Sequence, residues 1–268
     1  MLKIRVSSLS TFADCMCRGV AQLMYSELKD TYVFKKQHVK ISACVGTSCH
    51  AAAALDLEAI MQKKERPSEK DLIDFAVENL KTQLQNDVDF DNTTQSIPQA
   101  IQQTRAITAL HYNAVAPTSE PVLVEQRLSA EIEDVILTGQ PDSIEKNGII
   151  RDIKTGAKRN YILQHAGYSI LAQAHDIRVS GAETIHIPRA ARNKKTELYV
   201  YRTSGNVLHY GAERAVFELL KKIKKEVESV RAGNMIMNVN PASALCDAQY
   251  CPAYDTPFCI ATFSDVNK

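Results

Sequence analysis

Residues 141–154 read Pro141-Asp142-Ser143-Ile144-Glu145-Lys146-Asn147-Gly148-Ile149-Ile150-Arg151-Asp152-Ile153-Lys154, a turn flanked by two strand patterns. Lys146-Asn147-Gly148 is the turn, and the β-branched run after it predicts a strand over 148–154. Side chains at i and i+2 of a strand share a face, so Asp152 and Lys154 point one way and Ile153 points to a core on the other. Hairpin pairing brings Asp142, near the end of the first strand, beside Asp152. Two carboxylates so placed repel unless a cation lies between them, which predicts a magnesium or manganese site. Such a cation, bridging a water and a phosphate oxygen, acts as a Lewis acid and generates hydroxide, with Lys154 placed to orient the water or to stabilise developing charge. The chemistry suggested is phosphodiester hydrolysis. Alone, an Asp-x-Lys on a strand is commonly a surface ion pair, so its neighbours carry the weight.

Working outward, short β-rich segments at 122–128 and 135–144 join 148–154 as three strands of a meander. A helix follows over 160–174, then strands at 184–187 and 197–202 and an amphipathic basic helix over 211–231. Before residue 121 the texture is helical, with apolar residues at three and four spacing over 9–25, 44–61, 69–85 and 96–115 and few strand signals. Pro67-Ser68 with Asp71 marks a capped helix start, and Pro117 closes the fourth segment. Asp87, Asp89 and Asp91 imitate a calcium loop, but Asn92 stands where glycine is needed and Pro98 where the bidentate Glu belongs, so that site is rejected. No repeat and no Gly-x-x-x-x-Gly-Lys-[Ser/Thr] loop occurs, so no ATP motor is recognisable.

Composition sets the bounds. With 268 residues, 45% hydrophobic and 24% charged, the chain is long enough for one elaborated domain or two small ones and is not a disordered polymer. No apolar run approaches the roughly 18 residues of a membrane span, and Met-Leu-Lys-Ile-Arg-Val does not open a signal peptide, so a cytoplasmic location in a bacterial or phage-infected cell is expected, with no membrane partner. A net charge of +1 excludes a strongly basic nucleic-acid coating protein. The charge is uneven, however: residues 189–231 hold eleven Lys or Arg against five Asp or Glu, including Arg189, Arg192, Lys194, Lys195 and the Lys221, Lys222, Lys224, Lys225 run. Such a segment is either a solvated face or a track for phosphates.

Gln164 and Tyr168 are four apart on the predicted helix and flank one groove, an amide for hydrogen bonding and a phenol for stacking or phosphate contact. Gly46-Thr47-Ser48-Cys49-His50 lies in an alanine-rich helix. Singly, His50 reads as a satisfied polar residue, and Cys49 beside it cannot form a nucleophile–base pair with it.

Pro141-Asp142, Asp152-x-Lys154, Gln164-x-x-x-Tyr168 and Gly46 to His50 together resemble the PD-(D/E)XK nuclease superfamily, in its RecB-like branch of helicase-associated nuclease domains, CRISPR-associated adaptation nucleases and stand-alone phage exonucleases. The likeness covers about residues 7–260, since Ser7-Ser8-Leu9-Ser10-Thr11-Phe12 followed by Cys15 also resembles that branch's start. It implies metal ligation by His50, Asp142, Asp152 and the carbonyl of Ile153, with Lys154 as catalytic lysine and Gln164 and Tyr168 engaging DNA. Asp152 stands where Glu is commoner, and Glu125, on a preceding strand, stays outside this core set.

Seven cysteines form an odd set, which favours metal binding or burial over disulfides. The same branch often carries a 4Fe-4S cluster on one N-terminal and three C-terminal cysteines, a topology that Cys15, Cys246, Cys251 and Cys259 fit, with looser spacing than usual and with Cys17 as a competitor for Cys15. Zinc would suit four thiolates as well. Cys44 and Cys49 read as packing residues.

The fold expected is an α/β restriction-endonuclease-like core, a mixed central sheet flanked by helices, with a helical N-terminal region and a cysteine-stapled C-terminal tail. Residues 1–120 would supply His50 and Cys15, 121–232 the nuclease core, and 233–268 a tail packing on the N-terminus. The function implied is a metal-dependent DNA exonuclease of recombination or repair, acting on single-stranded ends or resected duplex, with the basic segment tracking phosphates. Without a motor it needs a helicase or a strand-annealing protein as partner, and it could form an oligomer. CRISPR spacer acquisition is the second context. A non-catalytic DNA-end-binding subunit is the alternative of a different class, against which two adjacent carboxylates near an anionic backbone argue.

Overall fold

Pro141 determines how the sheet region folds, because a proline has no N–H for a ladder and ends strand pairing. The expected single strand over 135–144 is therefore two strands in two different sheets, with 140–142 as the crossing. The computed structural model describes residues 1–85, 87–191, 194–234, 236 and 238–259. Arg192 of the basic run and residues 260–268 of the tail lie outside the described residues.

The strands are β1 (Leu2–Arg5), β2 (Val39–Lys40), β3 (Val88–Asp89), β4 (Pro121–Val124), β5 (Leu128–Ile132), β6 (Val135–Gly139), β7 (Ser143–Glu145), β8 (Ile149–Lys154), β9 (Gly181–His186) and β10 (Tyr199–Ser204). The helices are α1 (Leu9–Asp14), α2 (Met16–Leu23), α3 (Tyr25–Leu28), α4 (Ile41–Met61), α5 (Glu69–Gln83), α6 (Ile97–Leu110), α7 (Ile162–Ala174), α8 (Gly205–Val207) and α9 (Glu213–Arg231). A five-stranded mixed sheet runs β10-β9-β8-β7-β4, parallel only between β8 and β9, and a three-stranded sheet runs β1-β6-β5. The chain thus has the expected α/β architecture, a mixed sheet flanked by helices. β1 is an addition to the helical reading of the N-terminal region: Leu2 to Arg5 pair in parallel with Val135 to Thr138. The expected meander of three strands becomes five short ones.

Two apolar clusters take the two faces of the large sheet. Ile144 and Ile150 join Ile4, Leu137, Leu171 and Leu220 on one side, under α7 and α9. Ile153 and Ile185 join Val45, Cys49 and Ile107 of α4 and α6 on the other. Each buried isoleucine contributes about 2 kcal/mol of transfer free energy, so the alternation of β8 is fixed by packing on both faces.

The helix expected over 9–25 is interrupted at Cys15, whose backbone is extended at φ −150° and ψ 109°. The carbonyl of Asp14, released from helical pairing, accepts instead from Asn240 Nδ2 at 3.0 Å. Ser243 Oγ donates to Asp14 Oδ2 at 2.6 Å, Gln22 Nε2 to the Tyr250 carbonyl at 3.2 Å, and Phe258 packs edge-on against Phe34 with centroids 5.3 Å apart. Through these contacts the C-terminal tail is tied to the N-terminal helices.

Candidate active site

β8 projects Asp152 and Lys154 from one face, the aspartate buried and the lysine half-buried. Lys154 Nζ lies 2.8 Å from Asp152 Oδ1 and 2.7 Å from Oδ2. Only the first contact has hydrogen-bond geometry, so Oδ2 is a buried carboxylate oxygen without a hydrogen-bond partner among the described residues. Burial would strip Lys154 of its proton, but the charges of Asp152 and Asp142 more than offset that and hold its pKa above the ordinary lysine value. From the first turn of α7, Gln164 Nε2 donates to Asp152 Oδ1 at 3.2 Å and to Tyr168 Oη at 2.9 Å. The expected i,i+4 partnership is therefore a continuous chain from Lys154 to Tyr168. A Cβ at Gly139 would stand 2.9 Å from the Tyr168 ring, so the bare glycine at the end of β6 lets that ring approach the strand closely.

Asp142 follows the break at Pro141. Its Oδ2 accepts from the Ile153 N–H, a backbone donor with no strand partner because β7 pairs with β8 only as far as Arg151. The N–H and C=O of one strand residue point to the same edge, so the Ile153 carbonyl faces this edge too. His50 reaches Asp142 from α4, with Nδ1 2.9 Å from Oδ1. A Cβ at Gly46 would meet Thr155 Oγ1 at 3.0 Å. The glycine thus allows α4 to lie against the end of β8, and His50, one turn later on the same face, arrives over the carboxylate. Burial opposes charge on both partners, yet their attraction prevails: the His50 pKa is raised and that of Asp142 lowered.

Glu125, left out of the core set on sequence, lies in this group. Single ligand atoms of His50, Glu125 and Asp142 all fall within 4.8 Å of one another. Burial, and then the charge of Asp142, push the Glu125 carboxyl up to about 7. Its backbone has φ +45°, a left-handed conformation that suits glycine, and its N–H donates to the Asp142 carbonyl at 3.1 Å. A left-handed glutamate is thus held beside the carboxylate cluster. The available signal was a charged residue ending the apolar run Val122-Leu123-Val124 without a glycine to make the turn.

These residues fit a divalent cation. Two carboxylates and an imidazole converge, burial and then the charge of Asp142 raise the Glu125 carboxyl to about 7, and the Asp152 carboxylate, ion-paired with Lys154, lies outside that close group on the neighbouring strand. Beside the site a cleft of about 630 Å³ is lined by Lys3, Arg5, Arg127, Gln140 and Tyr168 among others.

Thirty-odd residues of tail bring the other cysteines together. Cys15, Cys17, Cys246, Cys251 and Cys259 line one small pocket, so the expected four are joined by Cys17. Burial raises the Cys246 thiol and pushes Cys251 up to about 11, each with a further contribution from Cys259 and Cys15. Buried thiols gathered in one pocket are a donor set suited to a cationic centre. Cys44 and Cys49 are buried in the α4–α6 cluster.

The family model of the PD-(D/E)XK nuclease superfamily matches residues 4–256. Among solved structures, that of a candidate exonuclease from Eubacterium rectale superposes with a TM-score of 0.57 at 12% identity, covering 91% of this chain and 86% of its own. The structure of SSO0001 covers 91% and 96% at 13% identity with a TM-score of 0.36, too loose to bear on the fold. No curated protein matches. No helix among the described residues is long and apolar enough to cross a membrane. With the family match running through β1, the Asp142–Lys154 hairpin, α7 and the cysteine-bearing tail, the chain belongs to the PD-(D/E)XK nuclease superfamily.

Proposed function

We propose that the chain is a magnesium- or manganese-dependent DNA exonuclease of the RecB-like branch, hydrolysing phosphodiester bonds at DNA ends in phage-type recombination or repair. The observation that carries this reading is the convergence of His50, Glu125 and Asp142 beside the Asp152–Lys154 pair. His50, Asp142, Asp152 and the Ile153 carbonyl would hold the ion, with Glu125 added to that set. When bound, the ion supplies Lewis acidity and a water of lowered pKa. Lys154 keeps its proton at Nζ and presents positive charge where the phosphate gains negative charge. Gln164 fixes Asp152 Oδ1 and occupies an acceptor position on Tyr168 Oη. Burial and two neighbouring carboxylates keep the Tyr168 phenol protonated, so its O–H is a hydrogen-bond donor to a phosphate oxygen and not a base.

In the same reading residues 1–120 bring His50 and Cys15 to the core at 121–232, and the tail at 233–268 closes over the N-terminus. Cys15, Cys246, Cys251 and Cys259 carry a 4Fe-4S cluster that acts as a staple, remote from the chemistry. A helicase or strand-annealing protein exposes the end to be digested. The test is digestion of end-labelled single- and double-stranded DNA, linear and circular, with manganese or with chelator. Linear DNA should be degraded from its ends only with the metal. Circular DNA cut as fast as linear would replace exonuclease with endonuclease, and intact DNA under every condition would overturn the reading.

A further inference from the structure

The register of β8, β9 and β10 lines up two rows of side chains on the face that carries the proposed catalytic pair. Asp152 pairs with Thr184 and Thr184 with Tyr201, while Lys154 pairs with His186 and His186 with Tyr199. Residues in register on adjacent strands share a face, and strands lie about 4.8 Å apart, so each tyrosine stands about 10 Å from the acid or lysine in its row. That is the reach of a neighbouring nucleotide.

Tyr199 and Tyr201 have ring centroids 6.4 Å apart and planes 13° from parallel, and His186 lies 6.1 Å from each. Lys158 Nζ sits 4.0 Å from the centre of the Tyr201 ring, as Lys154 Nζ sits 4.9 Å from that of Tyr161. Between these rings opens a cleft of about 150 Å³, lined by Lys158, Tyr161, His165, Thr184, His186 and Tyr201 among others. His165 and His186 are only 2% and 6% exposed. His186 Nε2 meets the Gly156 carbonyl at 2.8 Å and His165 Nε2 meets Thr184 Oγ1 at 3.3 Å, but Nδ1 of each ring is buried without a partner among the described residues. A cleft meant only to be filled would be apolar. This one combines flat π surfaces, two imidazoles and a cation with no carboxylate partner among the described residues.

We propose that this cleft is a nucleobase subsite, which stacks an unpaired base of the strand whose phosphate lies at Asp152 and Lys154. The inference rests on the nuclease reading above and narrows its substrate to single-stranded ends. A base within a duplex has its faces stacked on its neighbours, whereas an unpaired base offers a face to Tyr201.

The test is binding, measured with chelator present so that nothing is cleaved. The probes are a fluorescein-labelled oligothymidylate, the abasic oligonucleotide of the same length and a blunt duplex. Tyr201→Ala should weaken oligothymidylate binding by about tenfold, the loss expected for one stacked base, and leave the abasic strand and the duplex unchanged. Tyr201→Phe should bind as the unmutated chain does. Equal losses on thymidylate and abasic strands, or no loss on either, would overturn the subsite. Should Tyr201→Ala fail to fold, the unmutated chain decides: it has ten tyrosines and no tryptophan, so a stacked base should quench tyrosine emission more than the abasic strand does, and equal quenching would overturn the proposal. If the chain cleaves no DNA with manganese, the nuclease reading fails and base-selective binding is still measurable. If it cleaves but handles both strands alike, only the subsite falls.

Discussion

Two sets of cations in this molecule differ in what they face: five in the basic segment meet carboxylates, and three beside the site meet none among the described residues. On α9 and the segment before it, Lys221 meets Glu133 and Glu218, Lys224 meets Asp134, Arg231 meets Glu27, Arg202 meets Glu183 and Arg189 meets Asp91. Glu133 and Asp134 form the turn of the β5–β6 hairpin, and Gly139, beside Tyr168, is at its other end, so these lysines lie a strand's length from the site. In the cleft along β1, by contrast, Lys3, Arg5 and Arg127 have no carboxylate partner among the described residues, and the same cleft ends on Gln140 and Tyr168. A cation already neutralised releases few counterions on meeting DNA, whereas an unpaired one attracts phosphate at full strength. The difference teaches that a run of lysines in sequence locates charge but not potential.

The comparison separates holding DNA from cutting it, and the largest effects belong to cutting. Lys154→Ala, Asp142→Ala and Asp152→Ala should each lower the cleavage rate by at least about a hundredfold, because each removes a metal ligand or the charge opposite the transition state. Binding of a labelled DNA end should largely survive, since the cleft cations are untouched. Full activity in any of the three, measured on end-labelled DNA with manganese, would sink the site assignment.

The next effect joins chemistry to backbone strain at Glu125. Asparagine adopts a positive φ more readily than glutamate and carries no charge, so Glu125→Asn relieves both the left-handed strain and the repulsion from Asp142. The variant should melt at a higher temperature and cleave about tenfold more slowly. A variant both stable and fully active would remove Glu125 from the ligand set.

What the sequence made legible follows from how far apart the partners are in the chain. Asp152, Ile153 and Lys154 were assigned to their faces because strand alternation is local. Glu125 was not, because its place depends on a tight turn and on pairing with the Asp142 carbonyl, seventeen residues on. β1 escaped because four residues pair with β6 more than a hundred residues later, and no periodicity of the segment itself reports that. Pro141 was read as part of a motif and not as the end of a ladder, so 135–144 looked like one strand. The α9 charges were visible, but their partners Glu27, Glu133 and Asp134 come from other parts of the chain.

The cysteine pocket gives an effect on stability rather than on rate. A cluster joining Cys15 to Cys246, Cys251 and Cys259 closes a loop of more than two hundred residues and stabilises by restricting the unfolded chain. Anaerobically purified protein should be brown, with iron and sulfide. Serine at any of the four should bleach it and lower its melting temperature more than the rate per folded molecule, and serine at Cys44 should leave the colour alone. Because Cys17 shares the pocket, a Cys17→Ser protein that bleaches while Cys15→Ser does not would exchange their roles. Colourless protein with stoichiometric zinc would make the staple a zinc site.

The smallest effect is the one that tests the opening contrast itself. Each phosphate contact contributes about 0.7 to 0.9 to the slope of log affinity against log salt, the lower figure holding for single strands. Arg5→Ala combined with Arg127→Ala should therefore flatten that slope by about 1.5 and weaken binding several-fold at moderate salt, on every sequence alike. Lys221→Ala combined with Lys224→Ala should leave the slope where it was, since both ammonium groups already face carboxylates and lie away from the cleft. Fluorescence anisotropy across a salt series measures both. If the α9 pair flattens the slope as much as the cleft pair, the acids at Glu133 and Asp134 yield to DNA, and the strand runs over α9 after all. If neither pair changes it, the cleft along β1 is not the phosphate track, and the contrast between the two sets of cations falls.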